Sequence, residues 1–294
     1  MGTPDFAIPS LQKIHESKHT ISAVVTAPDK ERGRGQKVTY TPVKEYALEN
    51  NLPLLQPASM KDADFIESLK NFKADLFVIV AFRILPKEVF TIPPKGSFNL
   101  HASLLPKFRG AAPIQWALIK GEKETGVTTF ALEEKVDTGN IFLRKKIPVE
   151  DSDNFGSLHY KLSQLGAEAV IKTIEMIDSG NYQLQPQDNG QASPAPKITK
   201  TTAEINWKQP AEIIHNLIRG MSPYPGAHFM HDGKQIKIYR TTPVSAPRLS
   251  SGQILPDKTR LFIGCAEGTL EVFELQLEGR KKMGAAEFLR GYKF

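Results

Sequence analysis

The chain has almost no cysteine and no long apolar run. Cys265 is the only cysteine in 294 residues, which excludes an internal disulfide and a cysteine-based metal cluster and is typical of a reducing compartment. No segment approaches the roughly 18 consecutive apolar residues that a membrane helix needs. The first residues also lack the basic and apolar regions of a signal peptide. These absences predict a cytoplasmic protein without membrane contacts.

Common nucleotide signatures are absent as well. The sequence contains no G-x-x-x-x-G-K-[ST] phosphate loop. Gly33-Arg34-Gly35 begins a G-x-G-x-x-G pattern, but position 38 is valine and no strand pattern directly precedes the glycines. We therefore expect no Rossmann dinucleotide site. His15-Glu16-Ser17-Lys18-His19 has the H-E-x-x-H spacing that binds zinc when it lies on a helix, but the remaining histidines are scattered, and we expect no metal site.

The positive charge of the chain is concentrated in its last third. The net charge is +6, and residues 199–294 carry 14 Lys and Arg against 9 Asp and Glu. A basic domain beside a neutral one is typical of a protein whose partner carries phosphates. A solvated, solubilising surface would explain the charge alone equally well.

The pattern of apolar residues predicts two domains and a linker. Residues 1–181 alternate strand and helix patterns, which predicts a doubly wound, mostly parallel α/β sheet. Residues 182–200 are rich in Pro, Gln, Asn and Gly and are interpreted as a linker. Residues 201–294 contain short strand patterns and one helix, which favours a small OB-like β-barrel. The clearest predicted elements are strands at 21–26, 75–80, 97–100, 127–132 and 141–149, and a helix at 154–179.

Three polar residues near predicted strand ends are candidates for catalysis. Asn99 and His101 are two apart, so their side chains share one side of an extended strand, and Asp137 lies in a turn between two later strands. An amide can polarise a carbonyl, an imidazole can move a proton, and a carboxylate can orient the imidazole. Each residue alone is also explained as a turn former or a satisfied polar group. Together they favour acyl transfer.

Several motifs give the chain a family resemblance. The motifs are Gly2-Thr3-Pro4-Asp5-Phe6-Ala7, Gly33-Arg34-Gly35, Thr41-Pro42-Val43-Lys44, Asn99-Leu100-His101-Ala102-Ser103-Leu104-Leu105-Pro106, Arg109-Gly110-Ala111-Ala112-Pro113, Asp137-Thr138-Gly139, Arg219-Gly220, Pro223 and Pro225-Gly226-Ala227. Together they resemble the methionyl-tRNA formyltransferases, from residue 2 to about residue 240.

The resemblance implies transfer of a formyl group from 10-formyltetrahydrofolate to the α-amine of methionine on initiator tRNA. It implies catalysis by Asn99, His101 and Asp137 without a metal, in a protein that we expect to be a monomer. It places the folate co-substrate beside Ser103, Leu104, Leu105 and Pro106. It places the tRNA against the loop that carries Gly33, Arg34, Gly35 and Lys37, with an OB-like C-terminal domain as a further tRNA-binding part.

Two other function classes remain open at this point. A formyltransferase acting on a small amine, such as a sugar nucleotide or a purine precursor, would share the catalytic residues but would not need the basic C-terminal domain. A non-catalytic RNA-binding protein would not explain the three catalytic candidates. A mobile, solvated loop would account for the composition around Arg34 without any RNA.

The N-terminus departs from the family pattern. Family members carry an apolar strand directly before Gly-Thr-Pro, whereas here only Met1 precedes Gly2. We therefore expect the central strand of the sheet to be missing and its neighbours to have unpaired edges. A start site placed too late, or a truncation of the chain, is the simplest explanation.

Overall fold

The computed structural model describes residues 1–32 and 37–294. These residues fall into two compact units. The first contains Met1–Gly110, Thr125–Ile147 and His159–Pro194, and the second contains Ala111–Glu124, Pro148–Leu158 and Ala195–Phe294. Each unit is therefore assembled from segments that are separated along the chain. The boundaries at 181 and 200 that the sequence suggests stay a prediction.

The elements of the first two thirds of the chain alternate between short strands and helices. They are α1 (Ile8–His15), β1 (Val24–Val25), β2 (Lys30–Arg32), β3 (Lys37–Thr39), α2 (Pro42–Glu49), β4 (Leu54–Leu55), α3 (Ala63–Asn71), β5 (Phe77–Val80), α4 (Lys87–Phe90), β6 (Ser97–His101), β7 (Arg109–Gly110), α5 (Pro113–Ile119), β8 (Glu124–Ala131), β9 (Ile141–Pro148), α6 (Phe155–Ser179) and β10 (Pro194–Ala195). Short 3-10 helices cover Asp5–Ala7 and Asn189–Gln191.

The last third contains one helix, a run of strands and a terminal helix. These are α7 (Ala211–Met221), β11 (Ala227–His231), β12 (Lys234–Val244), β13 (Ile254–Asp257), β14 (Arg260–Gly264), β15 (Thr269–Leu277), β16 (Met283–Gly284) and α8 (Ala285–Gly291). No helix in the described ranges is both long and apolar enough to cross a membrane.

The sheet of the first unit is parallel in its first half. β1 pairs with β4 and β5 pairs with β6, both in parallel. β8 then runs antiparallel to β6, so that Asn99 lies opposite Phe130. The predicted α/β class is thereby confirmed, with a change of strand direction after β6.

Local sequence signals begin the helices that support this sheet. Thr41 caps α2, since its hydroxyl accepts a hydrogen bond from the Lys44 N–H at 3.1 Å, and Pro42 is the first helical residue. Asp62 caps α3 through the N–H groups of Asp64 and Phe65. The Thr-Pro signature at 41–42 therefore begins a helix.

A strand-wide gap interrupts the sheet between β1 and β5. Met1 and Gly2 occupy one end of the gap: the Gly2 N–H donates to the Val25 carbonyl at 3.0 Å, and the Val80 N–H donates to the Met1 carbonyl at 2.9 Å. Beyond them lies a cavity of about 390 Å³, lined by residues 20–25 and 74–78 and by side chains of α1, α3 and α6. The sheet is interrupted where the sequence predicts a missing strand.

The gap explains why two predicted strands are short. The strand expected at 21–26 is reduced to β1, and the strand expected at 75–80 begins only at Phe77. Residues 20–23 and 74–76 line the cavity. Since a strand is defined by its ladder of hydrogen bonds, a segment without a partner is not part of a sheet.

The second unit has a sheet of antiparallel strands in the order β11-β12-β15-β14-β13, with β16 on β15. The apolar side of α7 packs into the core of this unit, where Ile214, Ile218 and Met221 are almost fully buried. Arg219, on the same helix, is also buried, and its Nη1 donates to three backbone carbonyls of residues 150–153. The antiparallel strands agree with the predicted OB-like domain.

Candidate active site

Strand β6 positions the first two candidate residues. Asn99 and His101 alternate with Phe98 and Leu100, and the two apolar side chains are 0 % and 2 % exposed. Because side chains alternate along a strand, the apolar pair packs into the core while the polar pair shares the opposite face. The Asn99 amide is hydrogen bonded to no other group in residues 1–32 and 37–294. Its two N–H donors remain available for a substrate oxygen.

His101 is held by a backbone carbonyl. Its ring is buried, and Nε2 lies 2.8 Å from the carbonyl oxygen of Phe108. A carbonyl can only accept a hydrogen bond, so Nε2 carries the proton of the neutral ring and Nδ1 has the lone pair. Nδ1 is therefore the nitrogen of His101 that can take up a proton.

Asp137 faces that nitrogen. Its Oδ2 lies 3.7 Å from Nδ1 of His101, which is too long for a direct hydrogen bond but close enough to stabilise an imidazolium. The same Oδ2 accepts a hydrogen bond from the Gly110 N–H at 2.8 Å. Asp137 itself adopts φ 55°, in the left-handed region. The structure thus brings His101 and Asp137 together as the sequence suggests, with Gly110 fixing the carboxylate.

The predicted folate-lining segment is anchored from within. The Ser103 hydroxyl donates to the Lys107 carbonyl at 2.6 Å. Thr128 then links both ends of the segment, because its hydroxyl donates to the Ser103 carbonyl at 2.7 Å and accepts from the Leu105 N–H at 3.1 Å. Ser103 and Leu105 are almost completely buried. Their side chains shape the segment, and a folate contact at these two positions stays a prediction.

Leu104 is the partly exposed member of the predicted folate set, while Pro106 is buried. Arg144 on β9 supports this part of the segment, because its Nε donates to the Leu105 carbonyl at 2.8 Å. Burial lowers the pKa of the Arg144 guanidinium. Of the four predicted residues, Leu104 is therefore the one that offers side-chain surface to a ligand.

The residues predicted to contact tRNA lie mostly outside the described part of the chain. Gly33, Arg34 and Gly35 fall between residues 32 and 37, while Lys37 is the first residue of β3, which pairs antiparallel with β2. The base of this hairpin is fixed by Asp29, which accepts from the Lys44 Nζ at 2.5 Å and from the Gln56 Nε2 at 2.9 Å. The hydrogen bond from Lys44 is the main cause that lowers the pKa of Asp29. Asp29 therefore anchors the chain directly before β2.

Several contributors to the site were not identified from the sequence. The carbonyl of Phe108, the N–H of Gly110 and the side chain of Gln187 all contact the candidate residues or their turn. The first two act through the backbone, which no side-chain pattern reveals. Arg83 donates to the carbonyls of residues 57 and 58 and so links two loops of the first unit. Within the described ranges, no group of three His, Cys, Asp or Glu residues could hold a metal ion.

Two family models and curated relatives match the chain over most of its length. The family model described as formyl transferase matches residues 1–174, and the model for the formyl transferase C-terminal domain matches residues 197–293. A methionyl-tRNA formyltransferase of Caldanaerobacter subterraneus subsp. tengcongensis is 45% identical, covering 99% of this chain and 96% of that protein. The chain belongs to the methionyl-tRNA formyltransferase family. A Bacteroides fragilis member is also 45% identical, over 99% of this chain and 94% of its own.

Solved structures share the fold at lower identity. An N-formyltransferase from Helicobacter canadensis, in complex with folinic acid and dTDP-3-aminofucose, superposes with a TM-score of 0.68 at 22% identity, covering 96% of this chain and 97% of that chain. HypX from Aquifex aeolicus in complex with tetrahydrofolic acid gives 0.63 at 20% identity, covering 84% of this chain and 45% of that one. These likenesses show that proteins distant in sequence share the fold of this chain.

Proposed function

We propose that this protein transfers the formyl group of 10-formyltetrahydrofolate to the α-amine of methionine on initiator tRNA. The identity of 45% over almost the full length to proteins of that name carries the proposal. The geometry around β6 supports it, because an amide donor, an imidazole and a carboxylate meet at the end of a strand in the first unit. We further expect a cytoplasmic monomer.

The residues present fit a formyl donor. When bound, 10-formyltetrahydrofolate supplies a formyl carbon that is open to attack by an amine. Asn99 has N–H donors that no group in the described ranges uses, so its amide can donate to the formyl oxygen as negative charge develops there. Such a preorganised donor is worth about 3 kcal/mol of barrier.

His101 can manage the proton that the attacking amine loses. Because Nε2–H donates to Phe108, the proton is taken up at Nδ1, on the side of Asp137. The resulting imidazolium has a carbonyl acceptor at one nitrogen and a carboxylate at the other. His101 then returns the proton to the folate nitrogen as the C–N bond breaks, so that the ring ends the cycle neutral. Because the Nε2–H of His101 is already donated to the Phe108 carbonyl, this geometry favours proton transfer by the ring.

The choice of tRNA as acceptor rests on charge. In the sequence, Arg34 lies between β2 and β3 and Lys37 is the first residue of β3, and the last third of the chain adds an excess of basic residues. Both would bind phosphates in the acceptor arm of the tRNA. Leu104 would offer apolar surface to the folate.

Formyl transfer from 10-formyltetrahydrofolate to methionylated initiator tRNA tests the proposal, beside methionylated elongator tRNA and with His101→Ala as the blank. We expect formylation of the initiator that is lost in the blank. Formylation of an amino sugar nucleotide or another small amine, without any formylation of tRNA, would instead support the alternative that the distant structural neighbours illustrate.

A further inference from the structure

One side chain of the segment interpreted as a linker reaches the candidate site. Gln187 lies in the first unit, together with the elements that it contacts. Its Nε2 donates to the carbonyls of Asp137 and Gly139, at 2.9 and 2.8 Å. Its Oε1 accepts from Nε and Nη2 of Arg109, at 3.2 and 2.7 Å. Both donors and the acceptor of the amide are therefore used.

These contacts close a ring around the Asp137 carboxylate. Arg109 binds Gln187, and its neighbour Gly110 donates its N–H to Oδ2 of Asp137. Gln187 holds the backbone of the same Asp137 from the other side. The carboxylate is thus fixed both through its own oxygen and through the turn that carries it.

The turn needs such support. Asp137 adopts φ 55°, a conformation that is unfavourable for a residue with a side chain. Gly139 is packed so closely that a Cβ there would lie 1.7 Å from the Ala131 carbonyl oxygen. Two carbonyls that this turn directs toward the linker are bound by a single amide. Removal of that amide leaves the carbonyls of Asp137 and Gly139 without this donor.

We propose that Gln187 is a positioning residue for Asp137, and therefore that the segment following α6 completes the catalytic arrangement. The inference rests on the proposed function in one respect, since it assigns Asp137 a role in the reaction. Its physical content is that Gln187 sets the distance between Oδ2 of Asp137 and Nδ1 of His101, now 3.7 Å.

The position of Gln187 requires a side chain that both donates and accepts hydrogen bonds, as an amide does. Glutamate could still bind Arg109 but could not donate to the two carbonyls, and its charge would repel their oxygens. Methionine has a similar length and neither donates nor accepts strongly. Gln187→Glu and Gln187→Met therefore remove the same two hydrogen bonds by different means. Gln191→Met is the matched control, because Gln191 lies in the same segment and its side chain, among the described residues, donates only to Asp188.

Steady-state formylation separates positioning from a loss of folding. We expect kcat to fall about 10- to 100-fold in both Gln187 variants while KM stays within about twofold, since displacement of a catalytic group by about 1 Å has effects of this size. Gln191→Met should match the wild type. In an Asp137→Asn background, Gln187→Met should cost less than threefold, because the two residues act as a unit. An undiminished cost in that background, or wild-type kcat in the single variants, would overturn the proposal.

A second measurement does not depend on the reaction. The ring ¹⁵N chemical shifts of His101 would be recorded at one pH in the full chain. We expect them to change in both Gln187→Met and Asp137→Asn and to stay constant in Gln191→Met. Unchanged shifts in Gln187→Met would refute the positioning role. A changed shift in a protein that formylates no tRNA would uphold the positioning role and reject the proposed acceptor.

Discussion

Four apolar, β-branched residues added directly before Met1 are expected to fill the gap between β1 and β5. Extended residues rise about 3.3 Å each, so four of them span about 13 Å. They would run beside residues 20–23 on one edge and residues 74–78 on the other, continuing the parallel pairing that Gly2 makes with Val80. Helices α1, α3 and α6 line the cavity, so side chains of the added strand would be buried.

The expected stabilisation can be worked from this geometry. Burial contributes about 2 kcal/mol for each added side chain, and each new backbone hydrogen bond contributes about 1 kcal/mol. Ordering opposes this by about 2 kcal/mol per residue. For four residues the burial and ordering contributions cancel, so that about four new hydrogen bonds, two on each edge, leave a gain of about 4 kcal/mol in the free energy of unfolding. In a unit of this size that corresponds to a Tm increase of about 10 °C.

The same extension should change how stability depends on pH. The Met1 ammonium is buried and donates to the Val78 carbonyl, and burial lowers its pKa from 8.0 to about 5. Between these pH values the unfolded chain binds more protons than the folded one, so stability falls as the pH decreases from 8 to 5. At about 1.4 kcal/mol per pKa unit, the loss approaches about 4 kcal/mol. An extended chain has an amide at this position and should lose that dependence.

Thermal melts at pH 8.5 and pH 6 would measure both effects. They would compare the 294-residue chain with chains that carry Ile-Val-Ile-Val or Ser-Asn-Ser-Asn before Met1. The apolar extension should raise Tm at both pH values and more strongly at pH 6. The polar extension removes the same charge from Met1 without filling the cavity. Equal Tm values for the two extensions would show that the gap does not accept a strand, and the reasoning would fail.

Three substitutions test the site and its supports. Asn99→Ala should lower kcat about 10²- to 10³-fold in the formylation assay with little effect on folate KM, since it removes a donor to the developing charge; a KM effect alone would refute that role. Arg34→Ala should slow formylation of tRNA severely and leave folate affinity, measured by calorimetry, unchanged; equal turnover would reject the tRNA contact. Arg219→Ala should lower the free energy of unfolding in urea by about 3 kcal/mol, because it leaves three backbone carbonyls of residues 150–153 without their donor; a change below about 0.5 kcal/mol would contradict this.

Local patterns predicted the elements that carry the site. The β-branched and aromatic run at 75–80 becomes β5, and the apolar spacing at 154–179 becomes α6, Phe155–Ser179. The alternation of Phe98, Asn99, Leu100 and His101 correctly separates a core face from a polar face. In each case one element and its own periodicity suffice, so that no knowledge of distant contacts is needed.

Distant contacts were the part that the sequence did not reveal. The direction of β8 depends on its pairing with β6, which no local pattern encodes. The composition of residues 182–200 resembles a flexible linker, yet Gln187 is bound to a turn 48 to 50 residues earlier. Glutamine also occurs in solvated segments, so its residue type does not reveal the hydrogen bonds that Gln187 makes to the carbonyls of Asp137 and Gly139.

The chemistry and the choice of acceptor belong to different parts of the molecule. His101 is fixed by Phe108, and Asp137 by Gly110, within one unit, and neither contact involves strands β2 and β3. Loss of the hairpin's charge should therefore weaken tRNA binding without changing the groups that transfer the formyl group. A small amine offered at high concentration should be formylated as fast by Arg34→Ala as by the wild type. Parallel losses with both acceptors would place Arg34 in the catalytic arrangement itself.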